Sequence, residues 1–98
     1  MSVEIGSLLT RTPEVRRGRP CIAGTGVSVH RVAIMYKMGE GPEEIAREYP
    51  HLPLAGVYAA LAYYHANQAE VEAEIAEDEA EGDRAEAEWY RSRDSRVA

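Results

Sequence analysis

Phenylalanine is absent from this 98-residue chain, and tryptophan and cysteine occur once each. A single cysteine, Cys21, excludes an intramolecular disulfide framework. Beside Ile22 and with no base placed near it, Cys21 reads as a small buried residue rather than a nucleophile. There is no Walker loop, no metal-type cysteine pair and no H-E-x-x-H motif. Gly24-Thr25-Gly26 is too short to cradle a phosphate. His30, His51 and His65 are scattered, so they read as structural or surface histidines, and neither metal nor cofactor is expected. The carboxylates of the C-terminal third lie along a helical, exposed stretch, without the desolvated pocket that splits the pKa values of a catalytic pair. No catalytic residue is expected, and the chain reads as non-enzymatic.

Long hydrophobic runs are also missing. Tyr49 to Ala69 holds no Asp, Glu, Lys or Arg, but it includes two prolines, two histidines, Asn67, Gln68 and Gly56. Its apolar heart, Leu54 to Tyr64, is about half the length a bilayer requires. The first residues lack the basic and apolar regions of a secretory signal. A cytoplasmic protein without a membrane role is expected. Chains this short bury only part of their apolar surface alone, which favours a homodimer or hetero-oligomer.

What the chain does have is charge, unevenly placed. The formal net charge is −6. Residues 1–39 carry +4, residues 40–66 carry −3, residues 67–90 carry −9 and residues 91–98 carry +2. A basic head, an apolar middle, an acidic extension and a basic tip point to segments that face different partners. Taken alone, the same runs also fit a solvated helix with a frayed end.

The first 28 residues are short apolar pieces broken by Pro13, Gly18, Pro20, Gly24 and Gly26. Ile5 to Leu9 and Cys21 to Ile22 are expected as short strands, with a tight turn at Gly24-Thr25-Gly26. Ser28 can cap a helix whose stripe is Val29, Val32, Ala33 and Tyr36, stopped by Gly39. Gly41, Pro42, Glu43 and Glu44 mark the start of a second helix, with Ile45, Ala46 and Tyr49 on its inner face, and Pro50 and Pro53 force its end. From Leu54 a seam runs through Val57, Leu61, Tyr64, Gln68, Val71 and Ile75. A helix from Leu54 to Glu81 would extend about 42 Å, beyond the body that roughly 65 residues build. A break is expected at Gly82, followed by a short helix from Arg84 to Arg93. The expected class is mainly α: a head over residues 1–66 with short N-terminal strands, and a long acidic helical extension over 67–98.

Three helices with short linkers fit a helix-turn-helix. Arg11, Arg16, Arg17, Arg19 and Arg31 gather in the head, where they can pair with phosphates. Solvated surface charge is the other reading of the same residues. The third helix begins Leu54-Ala55-Gly56-Val57-Tyr58-Ala59-Ala60 and offers little for base-edge readout. There only Tyr58, with His51 before it, supplies polar atoms. DNA contact is therefore expected from the arginines of the arm.

Residues 18–29 read Gly-Arg-Pro-Cys-Ile-Ala-Gly-Thr-Gly-Val-Ser-Val, followed by Gly39, Gly41-Pro42-Glu43-Glu44-Ile45, Tyr49-Pro50 and Leu52 to Leu61. This order resembles the family called domain of unknown function 433, which includes VapB-type antitoxins, over about residues 10–66. The family pattern is roughly G-x-P-C-I-x-G-T-R-I-x-V, a helix, G-x-S-x-E-E-I, then Y-P-x-L and an Ala-rich helix. The resemblance implies a homeodomain-like helix-turn-helix, a PIN-like ribonuclease toxin as partner, and binding to the operon's promoter DNA. Two departures remove phosphate donors: Gly26 stands where the pattern has Arg, and Ala23 stands before Gly24 in place of a base. Arg16, Arg17 and Arg19 are the compensating bases.

Antitoxins of this kind commonly hold the toxin with a C-terminal extension. Here Glu70, Glu72, Glu74, Glu77, Asp78, Glu79 and Glu81 form a polyanion suited to a basic RNA-receiving surface. Val71, Ile75, Trp89 and Tyr90 are the expected apolar anchors. Arg91, Arg93 and Arg96 suit the toxin's acidic centre, because guanidinium forks pair with carboxylates. The expected function is thus that of a type II antitoxin and transcription regulator. The alternatives are a dimeric DNA-binding regulator or adaptor without a toxin, built on the seam, and, for residues 67–98, a disordered soluble tail.

Overall fold

The structure is a computed structural model; it describes residues 2–14 and 16–97, with side chains up to Arg93. Among the described residues the chain is mainly helical, with two short strands and four helices. In order these are β1 (Leu9–Thr10), β2 (Cys21–Ile22), α1 (Val29–Lys37), α2 (Pro42–Glu48), α3 (Leu54–Ala66) and α4 (Gln68–Val97). Two compact units result, Met1–Gln68 and Ala69–Ala98.

In the first unit, β1 and β2 pair antiparallel with Leu9 opposite Ile22 and Thr10 opposite Cys21. Ile5–Ser7 is a single 3-10 turn rather than the expected strand. The Ser7 N–H and hydroxyl both donate to the Glu4 carbonyl, at 3.0 and 2.7 Å, and curl the chain before it can pair. After β2 the chain reverses tightly: the Thr25 N–H and hydroxyl both donate to the Ile22 carbonyl, and Gly24 has φ +76°. Gly26 does not share that left-handed conformation.

The helix signals act where the sequence places them. The Ser28 hydroxyl accepts from the Arg31 N–H at 3.1 Å and caps α1. Past the end of α1, Gly39 has φ +97°, a conformation without steric cost only for glycine. The Gly41 N–H donates to the Glu44 carboxylate at 3.0 Å, and Pro42 opens α2. Between α2 and α3, Pro50 and His51 (φ 64°) make a type II-like turn, with the Leu52 N–H turned back toward the Tyr49 carbonyl.

α3 is the hub of this unit, packing on α1, α2 and both strands. Ile22, Val29, Val32, Ile45 and Val57 are fully enclosed in its core. Tyr36, expected on the buried stripe of α1, stands at the rim and is 39% exposed, edge-on to Tyr64 and His65, while Met35 takes a buried place. Of the glycines, Gly56 is the one most closely packed. A methyl group there would overlap Ile22 Cγ2 and press on Pro53 Cγ at 3.3 Å.

The expected continuous helix from Leu54 to Glu81 divides early. Asn67 ends α3: its N–H donates to the Tyr63 and Tyr64 carbonyls, and its side-chain amide donates to the Tyr63 carbonyl at 3.1 Å. A side chain that competes with the backbone in this way favours termination. Gly82, the expected break, lies inside α4 instead. One glycine costs a helix only about 1 kcal/mol, which flanking Ala and Glu offset. The long seam is accordingly cut. Val57, Leu61 and Tyr64 are buried on α3 within the head, so the dimerisation seam of the alternative reading loses its first half to the core. No helix among the described residues is long and apolar enough to cross a membrane.

The two glycines give opposite expectations. Gly56→Ala should lower stability by about 1–3 kcal/mol through overpacking against Ile22. Gly82→Ala, which meets open space, should raise helix stability by about 0.5–1 kcal/mol. Thermal unfolding followed by circular dichroism measures both; a neutral Gly56→Ala would contradict the close approach.

Candidate nucleic-acid interface

Arg11, Arg16, Arg17 and Arg19 lie on the loop between β1 and β2, which is held in part by their own side chains. Arg16 and Arg17 have φ 49° and 57°, and Gly18 follows at 74°. Two successive non-glycine residues in the left-handed region are costly and persist only where surrounding bonds hold them. Arg11 Nη1 donates to the Gly18 carbonyl at 3.2 Å, the Arg19 N–H to the Arg16 carbonyl at 3.0 Å, and Arg16 Nε to the Gly26 carbonyl at 3.0 Å. The loop is joined to α1 by the Val29 N–H, which donates to the Pro20 carbonyl at 3.0 Å.

Arg11 and Arg31 are fixed from the far side of the fold. Arg11 Nη2 donates to the Tyr63 hydroxyl at 2.5 Å, and its guanidinium lies 5.6 Å from that ring's centroid. Arg31 Nε donates to the Tyr49 hydroxyl at 3.0 Å. That bond, with weaker contributions from Glu40 and Glu48, holds Arg31 more firmly protonated than usual. Arg16 and Arg31 thereby line one cleft of about 330 Å3 with Gly26, Val27, Ser28 and Tyr49. Arg17 is exposed and Arg19 half-buried, and both have further partners in the fold.

Tyr58 does not join this group. Its hydroxyl donates to the Glu43 carboxylate of α2 at 3.1 Å, which raises the phenol above its ordinary pKa. The exposed side of α2 is acidic, with Glu40, Glu44 and Glu48 around Arg47. Partial burial, followed by hydrogen bonding and repulsion from Glu48 and Glu44, pushes the Glu40 carboxyl above the usual range, against the pull of Arg31. The start of α3 is thus bordered by carboxylates, whereas the bases sit on the hairpin loop and at the start of α1.

In α4, Val71 and Ile75 stand four residues apart on one helix face, and both are buried, unlike the other two expected anchors. Trp89 and Tyr90 are 56% and 51% exposed, edge to face with centroids 4.9 Å apart. Arg93 lies over the Trp89 ring at 5.3 Å. Arg91 has another partner in the fold, and the Arg96 side chain lies outside the described residues. Cys21 is buried, its thiol directed at the Arg19 carbonyl at 3.7 Å, and His30 is buried as well.

The family model for proteins of unknown function, DUF433, matches residues 9–64, more than half of the chain. The chain belongs to the DUF433 family. A crystal structure of a DUF433 member protein from Anabaena variabilis is similar, with 28% identity and a TM-score of 0.65, over 71% of this chain and 69% of that one. No curated protein matches. The DUF433 match takes in the hairpin, its loop, α1, α2 and nearly all of α3, and therefore every cleft residue; α4 lies beyond it.

Sequence reasoning missed Tyr49 and Tyr63 as partners of arginine. The available signal was the excess of tyrosine over phenylalanine, because a half-buried phenol needs a hydrogen-bond partner.

Glu40 supplies a pH test. An acid whose folded pKa is raised holds its proton more tightly when folded, so it favours the folded state at low pH and opposes it as pH rises through the folded pKa. Glu40→Gln should therefore raise the melting temperature at neutral pH, and the gain should shrink as pH falls through the raised pKa and vanish well below the ordinary glutamate value of about 4.3, where Glu40 is protonated in both states. Melting curves across pH check this; a gain that persists in acid would contradict a raised Glu40 pKa.

Proposed function

We propose that this DUF433 protein is a non-enzymatic, cytoplasmic antitoxin that acts by binding two macromolecules. In this reading residues 1–66 are a three-helix, homeodomain-like helix-turn-helix head, with α2 and α3 as the paired helices across the Pro50–Pro53 turn. Residues 67–98 are the acidic extension that neutralises a PIN-like ribonuclease toxin. The head binds the operon's promoter DNA and thereby regulates transcription.

The observation that carries the reading is the exposed Trp89–Tyr90 pair on a helix that bears ten acids between residues 67 and 90. Large aromatics exposed side by side are common anchors of protein interfaces. An acidic helix around them selects a basic partner surface, as an RNA-cleaving enzyme has, and speeds its capture. Arg93, held over Trp89, is positioned to follow the aromatics toward a carboxylate centre.

DNA contact in this reading comes from Arg11, Arg16, Arg17, Arg19 and Arg31 rather than from insertion of α3. An α3 laid into the major groove would carry Glu43, bound to Tyr58, toward the phosphates. Arg16, whose Nε reaches the Gly26 carbonyl, stands beside the position where the family pattern has its own arginine.

Co-expression with the product of the neighbouring gene, followed by co-purification and nuclease assay, tests the toxin claim. Trp89→Ala should weaken the complex by about 2 kcal/mol, roughly 30-fold. Reversing Arg91, Arg93 and Arg96 to Glu should weaken inhibition, and unchanged neutralisation would count against the assignment. Mobility shifts on promoter DNA should fade steeply with salt; no shift at low salt would remove the promoter from the account.

A further inference from the structure

The cleft between Arg16 and Arg31 has the chemistry of a specific site. A guanidinium offers five N–H donors in a planar fork. In both residues the Nε–H is used inward, to the Gly26 carbonyl and to the Tyr49 hydroxyl, each at 3.0 Å. Such a tether fixes the plane of the group and leaves the Nη edge for a further acceptor. No carboxylate lines the cleft. Glu40 and Glu48 add a weaker electrostatic pull on Arg31. Ser28 adds a hydroxyl at the wall. It is 7% exposed and accepts from the Arg31 N–H.

Donors without acids call for an anion. One fork engages both oxygens of a carboxylate, whose lone pairs lie in a single plane. The oxygens of a tetrahedral phosphoryl group, in a diester as in a monoester, accept from more than one plane and so can serve two forks. A volume of about 330 Å3 also leaves room for the substituent of a phosphate ester.

We propose that the Arg16–Arg31 cleft is a phosphate-binding site that takes one phosphoryl group of a nucleic acid or nucleotide. Tyr49 and Gly26 act as positioning groups for the two forks. The same chemistry serves a backbone phosphodiester or a terminal phosphomonoester. The duplex form rests on the promoter-binding reading above, whereas the phosphoryl site itself does not.

The test uses the full-length, isotope-labelled protein and follows amide resonances at constant ionic strength. Inorganic phosphate, and then adenosine monophosphate, should shift Gly26, Ser28 and Arg31 in a saturable way, with sodium chloride as the control. Arg16→Ala with Arg31→Ala should abolish saturation. Tyr49→Phe, which keeps every charge and frees the Arg31 fork, should weaken phosphate several-fold while the remaining spectrum is retained. Shifts spread over all the arginines, or an undiminished response in Tyr49→Phe, would overturn the site.

A short duplex with hydroxyl ends separates the two sources. If a backbone phosphate enters the cleft, the double variant should lower the salt dependence of duplex binding by about one phosphate contact. Nucleotide binding without duplex binding would support the cleft and remove the promoter reading. Duplex binding that the double variant leaves unchanged, with no phosphate shift, would overturn the cleft and leave the promoter reading standing.

Discussion

Gly56 has no side chain, and the seat of α3 on β2 depends on that. Ile22 fills the space where a methyl group would lie, and Ile22 itself is fully enclosed. Close-packed interiors give way little, so this contact fixes the distance between hairpin and helix. The consequences run outward. β2 holds β1 in register, the two strands carry the loop of arginines between them, and the Pro20 carbonyl joins the end of that loop to the first turn of α1. The placement of Arg16 near Arg31 therefore begins with an absent atom on a different helix.

The second constraint is the use of tyrosine where phenylalanine would suffice for packing. Three of the six tyrosines bond a charged group from another part of the chain: Tyr49 with Arg31, Tyr58 with Glu43, and Tyr63 with Arg11. Each ring contributes its body to the fold while its hydroxyl orients a charge at the surface. Neutral partners let the arginines be held without being neutralised, which a carboxylate partner would not. Bases gather around the hairpin loop and at the start of α1, and acids on α2 around Arg47.

Much of the helical layout was legible from the residues alone. Ser28, Gly39, the Gly41-Pro42 pair and Pro53 act through bonds and torsions within about one helical turn, so their effect is independent of the rest of the chain. Other local signals were outweighed. Ser7 closes a turn on the Glu4 carbonyl within the apolar piece Ile5 to Leu9, where a strand is expected. Asn67 ended a helix with its own side chain, whereas Gly82, the stronger breaker by propensity, was carried inside α4 by its neighbours.

By itself, then, the sequence determined the order of the helices, the residues that start and stop them, and the separation of charge along the chain, because each is a property of neighbours. Only the tertiary structure decided which bases stand together. Arg16 meets Gly26 across 10 residues, Arg31 meets Tyr49 across 18, and Arg11 meets Tyr63 across 52. Nothing local encodes such pairings. They exist because the core brings the loop, α1 and α3 to one surface, and spacing along the chain carries no information about distance across it.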